Sequence, residues 1–125
     1  MDDAALDQFR LHAIFDGWQG VESGIKWEDD LVFTVAGKMF CVLCVSGPAG
    51  DPAVGRISFK VEDARFLELT ERPGFVPAPY LARAHWVLVA KPESLPGGEL
   101  LDLLRRSYEL VREKLPKKTQ RELAD

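Results

Sequence analysis

The 125-residue sequence lacks the segments that direct a chain into or across a membrane. Its longest uninterrupted apolar stretch runs from Met39 to Val45, whereas a membrane-spanning helix needs about 20 such residues. The first residues are acidic, where a secretory signal would need basic residues followed by an apolar run. We therefore expect a soluble, cytoplasmic protein that does not associate with a membrane.

Cysteine and histidine are scarce, with two residues of each type. Cys41 and Cys44 have the C-x-x-C spacing, but they lie in an apolar run typical of a strand, on which residues three apart point to opposite faces. A structural zinc ion needs about four ligands, and only His12 and His85 could add to the pair. We predict two buried free thiols, no metal site and no cofactor.

Motifs of enzyme chemistry are also missing. No serine lies in a G-x-S-x-G elbow, and neither histidine has a neighbouring serine or cysteine. The segment Gly50–Arg56 has the G-x-x-x-x-G spacing of a phosphate-binding loop, but it lacks the lysine and the serine or threonine of that motif. It also joins two predicted strands, rather than a strand and a helix. We expect a binding module and not an enzyme.

The composition that is present is that of one globular domain spanning residues 1–125, with 46% hydrophobic and 29% charged residues. The net charge is −4 and the sequence pI is about 5.2. Residues 1–35 carry eight acidic against two basic side chains, whereas residues 105–121 carry seven basic against two acidic ones. An acidic front and a basic tail can mark a surface for anions, although a solvated helix face gives the same pattern.

Hydrophobic periodicity predicts an α+β domain with an antiparallel sheet of about five strands. Helical spacing marks three segments, at 3–15, 63–72 and 100–115. Alternation marks two strands within 25–35, split at the acidic turn 28–30, and further strands at 38–46, 56–61 and 86–90. We predict irregular structure at 75–81 and a frayed tail after Pro116.

The turn at Ala36–Gly37 is the clearest local signal. Two residues separate the strands on either side, and glycine adopts a positive φ angle at little cost, so we predict a tight hairpin. The strand after it is apolar at nearly every position, which predicts a central strand covered on both faces. The glycine- and proline-rich segment 47–55 is predicted to be a long hairpin loop.

Several local patterns together resemble the MmcQ/YjbR family, small bacterial proteins with a fold likened to that of CyaY, the bacterial frataxin. They are Gly37–Phe40, Ser58–Val61, Pro77–Leu81, His85–Val87, Ser107–Val111 and Lys114–Lys118. The resemblance spans almost the whole chain. It implies an αββββαβα-like domain with helices packed on one face of the sheet. Members of the family are commonly described as DNA-binding through two hairpin wings, which implies double-stranded DNA as a partner.

A DNA-binding role would need basic side chains clustered on one surface. The candidates are Lys38, Arg56 and Lys60 on or beside the predicted hairpins, and Arg105, Arg106 and Arg112 on the last helix. Because the pI is far below the value above about 9 that is typical of nucleic-acid-binding domains, we expect weak, strongly salt-dependent binding. The basic helix also fits a solvated face with i,i+4 ion pairs.

A protein-interaction or small-ligand-binding module is the alternative. Trp18 lies between Gly17 and Gly20 in a predicted loop, so we expect an exposed ring that could anchor a partner. The other large aromatics are predicted to be core. The likeness to CyaY implies a third, less favoured role in iron binding at Asp2, Asp3 and Asp7, although acidic residues at the start of a helix also interact favourably with its dipole.

Overall fold

A computed structural model of the protein describes residues 8–26, 30–44, 56–78, 84–92, 95–96 and 98–124. In these ranges the chain forms, in order, α1 (Gln8–Phe15), β1 (Val21–Lys26), β2 (Asp30–Val35), β3 (Lys38–Cys44), β4 (Ile57–Lys60), α2 (Asp63–Thr70), β5 (Phe75–Pro77), β6 (Trp86–Val89), α3 (Glu99–Glu113) and α4 (Lys117–Ala124). The strands form one antiparallel sheet in the order β1-β2-β3-β4-β6-β5.

The core lies between one face of the sheet and the helices. Five side chains in consecutive cross-strand register form a buried row on that face: Leu31, Leu43, Ile57, Val89 and Phe75. Residues of α1, α2 and α3 belong to the same buried cluster, and Leu123 of α4 packs against it. The predicted α+β class with helices on one face is confirmed, with six strands rather than five.

A β-bulge shapes the centre of this core. Phe33 of β2 pairs with Cys41, but the next residue, Thr34, pairs with Met39, so Phe40 is the extra residue on β3. A bulge can turn two successive side chains to the same face. Phe40 and Cys41 are accordingly both fully buried in the cluster.

Strand β3 occupies an interior position in the sheet, as predicted, but the prediction that both of its faces are covered is wrong. Val42 and Cys44 are only half-buried, because the helices pack on the opposite face. Neither cysteine is part of a disulfide. Burial raises the pKa of the Cys41 thiol far above its ordinary value.

The tight hairpin at Ala36–Gly37 is confirmed. The φ angles are 50° at Ala36 and 84° at Gly37, and a turn with two positive values matches the right-handed twist of the flanking strands. Alanine in this left-handed conformation is strained, whereas glycine is not.

Two segments are more regular than predicted. Residues 75–77 form the edge strand β5, where Pro77 is tolerated because an edge strand needs no hydrogen-bond donor on its outer side. Residues 117–124 form helix α4 rather than a frayed tail. Helical spacing in the sequence also predicts that Ala13 and Leu67 face inward on the two short helices, and this is wrong: both are exposed, and the buried residues are Leu11, Phe15 and Leu69.

The predictions for Asp2, Asp3 and Asp7, for Trp27 and for the loop at 47–55 lie outside the described residues. In the part of the chain that the structure describes, no helix is both long and apolar enough to cross a bilayer.

Candidate functional site

Helices α3 and α4 meet at a fixed corner. Helix α3 ends at Glu113, two residues before the predicted end at residue 115, and the Pro116 carbonyl accepts the first hydrogen bond of α4 from the Gln120 amide at 3.0 Å. The Gln120 side chain donates to the Leu115 carbonyl at 2.7 Å and to the Glu113 carbonyl at 3.2 Å. Because these carbonyls would otherwise lack intrahelical partners, Gln120 caps the end of α3 and orients α4.

The first turn of α4 carries positive charge where a helix favours negative charge. Lys117 and Lys118 occupy this turn, which contains no acidic residue, and both are exposed. Arg121 is also exposed. It lies four residues after Lys117 and three after Lys118, so the three cations are neighbours on the helix surface. Among the described residues, none of the three forms an ion pair, and neither does exposed Lys114 on the preceding turn.

Lys38 is connected to the last turn of α4 through two intervening residues. Leu123 of α4 packs so closely on Gly20 that a Cβ atom at residue 20 would clash with the Leu123 side chain, and the Val35 side chain lies next to the same position. Lys38 pairs directly across from Val35 at the start of β3 and is exposed. We refer to the five cations Lys38, Lys114, Lys117, Lys118 and Arg121 as the α4 surface.

Arg106, a predicted DNA-binding residue, is surrounded by carboxylates instead. Its guanidinium lies 3.3 Å from Glu62, 3.2 Å from Glu109 and 3.1 Å from Glu113. The hydrogen bonds to Glu62 and Glu113 raise the pKa of Arg106 further above its already high value. This network connects α3 to the start of α2.

Arg105 and Arg112 flank an aromatic cluster beneath α3. The Arg105 guanidinium lies 5.0 Å from the ring centre of Trp18 and 4.9 Å from that of Tyr108, and its Nε donates to Glu109. Arg112 donates to the Tyr108 hydroxyl at 3.0 Å, and that hydroxyl donates to the Gln19 carbonyl at 2.5 Å. These contacts hold the turn after α1 against the last long helix.

Trp18, the predicted partner anchor, is half-buried. Its ring centre lies 4.9 Å from that of Phe15 and 5.2 Å from that of Tyr108, so much of the ring contributes to packing.

The remaining predicted DNA-binding residues lie on β4 or just before it. The Lys60 ammonium donates to the Ala84 carbonyl at 2.6 Å, and the Lys60 amide donates to the Ser107 hydroxyl at 3.0 Å. Arg56 is half-buried, and its Nε atom is buried without a hydrogen-bond partner. The structure therefore gives four of the six predicted cations partners within the protein, namely Lys60, Arg105, Arg106 and Arg112, and it leaves Lys38 exposed at the start of β3.

One histidine forms a pair of the kind found in catalytic sites. The His85 Nδ1 atom lies 2.7 Å from an Asp63 carboxylate oxygen, and the Phe66 ring packs edge-on against the imidazole. No serine or cysteine contacts His85 among the described residues. The same residues contain no group of three or more His, Cys, Asp or Glu side chains that could hold a metal ion.

The chain matches a known protein family over most of its length. The YjbR family model matches residues 17–110 of the chain. The chain belongs to the YjbR family. The resemblance inferred from local sequence patterns is thereby confirmed.

Two crystal structures are similar to this YjbR-family chain. Protein DR2400 of Deinococcus radiodurans, with the family-model domain DUF419, is 24% identical with a TM-score of 0.80, covering 99% of this chain and 92% of its own. A Pseudomonas syringae protein solved as a structural-genomics target is 22% identical with a TM-score of 0.65, covering 84% of this chain and 98% of its own. At these identities the likeness shows the fold alone. No curated protein matches the chain.

The α4 surface includes four cations that were absent from the predicted site of this YjbR-family protein. In the sequence, this surface is indicated by the excess of basic residues between 105 and 121. The sequence pattern places this charge on the last predicted helix, because it predicts a frayed tail after Pro116. The corner capped by Gln120 sets the backbone positions of these four residues.

Proposed function

We propose that the protein is a non-enzymatic cytoplasmic module that binds the phosphate backbone of double-stranded DNA through the α4 surface. The observation that supports this most is the unpaired positive charge in the first turn of α4. A cation near a helix amino terminus costs about 0.3–1 kcal/mol, and each like-charged pair at i,i+4 costs a few tenths more. A phosphate bound there would remove both penalties.

The proposed binding is weak and independent of DNA sequence. Lysine and arginine contacts to phosphates supply affinity and position, whereas sequence is read by contacts to base edges. The acidic character of the chain as a whole opposes approach to DNA, so the local charge of the α4 surface must overcome a net charge of −4. Arg106 takes no part in the proposed contact, because three carboxylates surround it.

Fluorescence anisotropy with labelled duplex DNA at ~50 mM salt tests this proposal, since the electrostatic attraction is strong under that condition. The variant Lys117→Gln/Lys118→Gln/Arg121→Gln should bind at least about tenfold more weakly than the wild type. The matched control is Arg65→Gln/Lys91→Gln/Arg106→Gln, which removes three positive charges away from α4. Equal weakening by both variants would refute the assignment to the α4 surface.

A further inference from the structure

A pocket of about 230 Å³ lies where the end of α1 meets the start of β1 and the middle of β2. Its lining includes half-buried Trp18, exposed His12, Asp16 and Glu22, and the buried residues Phe15 and Phe33. None of these residues belongs to the α4 surface, so the pocket is independent of the proposed DNA contact.

The walls of the pocket are fixed by packing within the domain. Gly17, with a φ angle of 87°, turns the chain after α1, and the Trp18 amide donates to the Phe15 carbonyl at 3.0 Å. The Phe15 ring centre lies 4.7 Å from that of Phe33, and the His12 ring packs edge-on against Phe33 at 5.3 Å. A ligand would therefore enter a site whose shape already exists, which reduces the entropic cost of binding.

The charge of the lining selects the class of ligand. Asp16 and Glu22 are exposed at the pocket, no lysine or arginine lines it, and neither carboxylate has an ion-pair partner in the described parts of the chain. Aromatic rings attract cations through their faces. The two carboxylates and the accessible part of the Trp18 ring together favour a cation and disfavour an anion.

The size of the pocket limits the ligand further. A water molecule in the liquid occupies about 30 Å³, so the pocket holds about eight waters or a ligand with a similar number of non-hydrogen atoms. A bare metal ion does not fit the lining, because the described residues place no three metal-ligating side chains together. The remaining class is a small organic cation.

We propose that this pocket binds an alkylammonium or guanidinium group, with Asp16 and Glu22 pairing with the charge and the accessible part of the Trp18 ring contacting the carbon chain. The group could belong to a free amine or to a lysine side chain of a partner. Its recognition by the pocket is the same in both cases, and the two sources are separated by experiment.

The proposal is tested by titrating the full, isotopically labelled chain with n-butylammonium chloride and following amide chemical shifts. Shifts should be concentrated at residues 12–23 and around Phe33. n-Butanol has the same carbon chain without the charge, and it should cause little change at equal concentration. Equal shifts with n-butanol would overturn the proposal, because binding would then not depend on the cation.

Paired variants test the role of the carboxylates. Asp16→Asn/Glu22→Gln should weaken n-butylammonium binding about tenfold, whereas Asp102→Asn/Glu71→Gln, which removes the same charge from exposed positions elsewhere, should leave it unchanged. Equal weakening by both pairs would show non-specific attraction and overturn the proposal. Tighter binding of N-acetyl-lysine N-methylamide than of n-butylammonium would identify a partner's lysine as the source, and weaker binding would identify a free amine.

Discussion

Replacing Ser107 by alanine tests the account of how α3 is attached to the sheet. Ser107 is fully buried on α3 and connects two strands: its hydroxyl donates to the Phe40 carbonyl at 2.7 Å and accepts from the Lys60 amide at 3.0 Å. The bulge at Phe40 interrupts the regular pairing of β3 there, so the hydroxyl completes hydrogen bonds that the ladder does not supply.

The loss of stability expected for Ser107→Ala follows from the two backbone groups that lose a hydrogen-bond partner, the Phe40 carbonyl and the Lys60 amide. A buried polar group left unsatisfied costs about 1–3 kcal/mol, and the Lys60 amide is only partly buried, so we expect a total loss of about 2–4 kcal/mol. This is a large fraction of the roughly 5–15 kcal/mol by which a domain is stable.

Urea unfolding followed by circular dichroism measures this loss directly. The exposed residue Ser23 offers a matched control, and Ser23→Ala should change the free energy of unfolding by less than about 0.5 kcal/mol. A loss below about 1 kcal/mol for Ser107→Ala would refute the reasoning, since the two backbone groups would then have other partners.

Three further predictions concern local features of the fold. Ala36→Gly should stabilise the protein by about 0.5–1 kcal/mol in urea unfolding, because the relief of left-handed strain exceeds the entropy that glycine adds to the unfolded chain; destabilisation would contradict this. Iodoacetamide should modify Cys44 before Cys41 in the native protein, as read by mass spectrometry, because Cys41 is fully buried and its pKa is raised; equal rates would contradict it. The hydrogen bonds from Arg72, at 2.6 and 2.9 Å, lower the pKa of Glu99 in the folded protein. The charged carboxylate therefore stabilises the fold at pH values above its pKa in the unfolded chain, and this stabilisation is lost as the pH falls through the pKa of the folded state. Glu99→Gln should therefore cost up to about 1 kcal/mol at neutral pH, given the partial exposure of the pair, and progressively less below about pH 4; a cost independent of pH would contradict this.

The parts of the fold that the sequence predicts well are those with a strong periodic or turn signal. Helical spacing predicts an apolar stripe at Leu100, Leu104, Tyr108, Val111 and Leu115, and all of these are buried except half-buried Leu100, because the fifteen residues of α3 and the turn after it repeat one pattern. The Ala36–Gly37 turn is also confirmed. The short elements are harder to predict. An edge strand of three residues contains too few positions to show an alternation of polar and apolar side chains.

The α4 surface was not predictable from the same patterns, because it depends on tertiary contacts. A proline normally ends a helix, and nothing in the local sequence shows that Gln120 caps the preceding helix and starts a new one. The count of charges along the sequence reveals the basic segment, but it does not show which cations are paired. Arg106 is paired with carboxylates, whereas Lys117 and Arg121 are not paired among the described residues. That distinction required the positions of Glu62 and Glu113.

The salt dependence of DNA affinity tests the central proposal most directly. The slope of log K against log salt concentration is about −0.9 for each phosphate contact. If all five cations of the α4 surface contact phosphates, the wild type should give a slope of about −4.5 and Lys117→Gln/Lys118→Gln/Arg121→Gln a slope of about −1.8. Equal slopes for the two proteins, or no binding by the wild type at ~50 mM salt, would contradict the proposal.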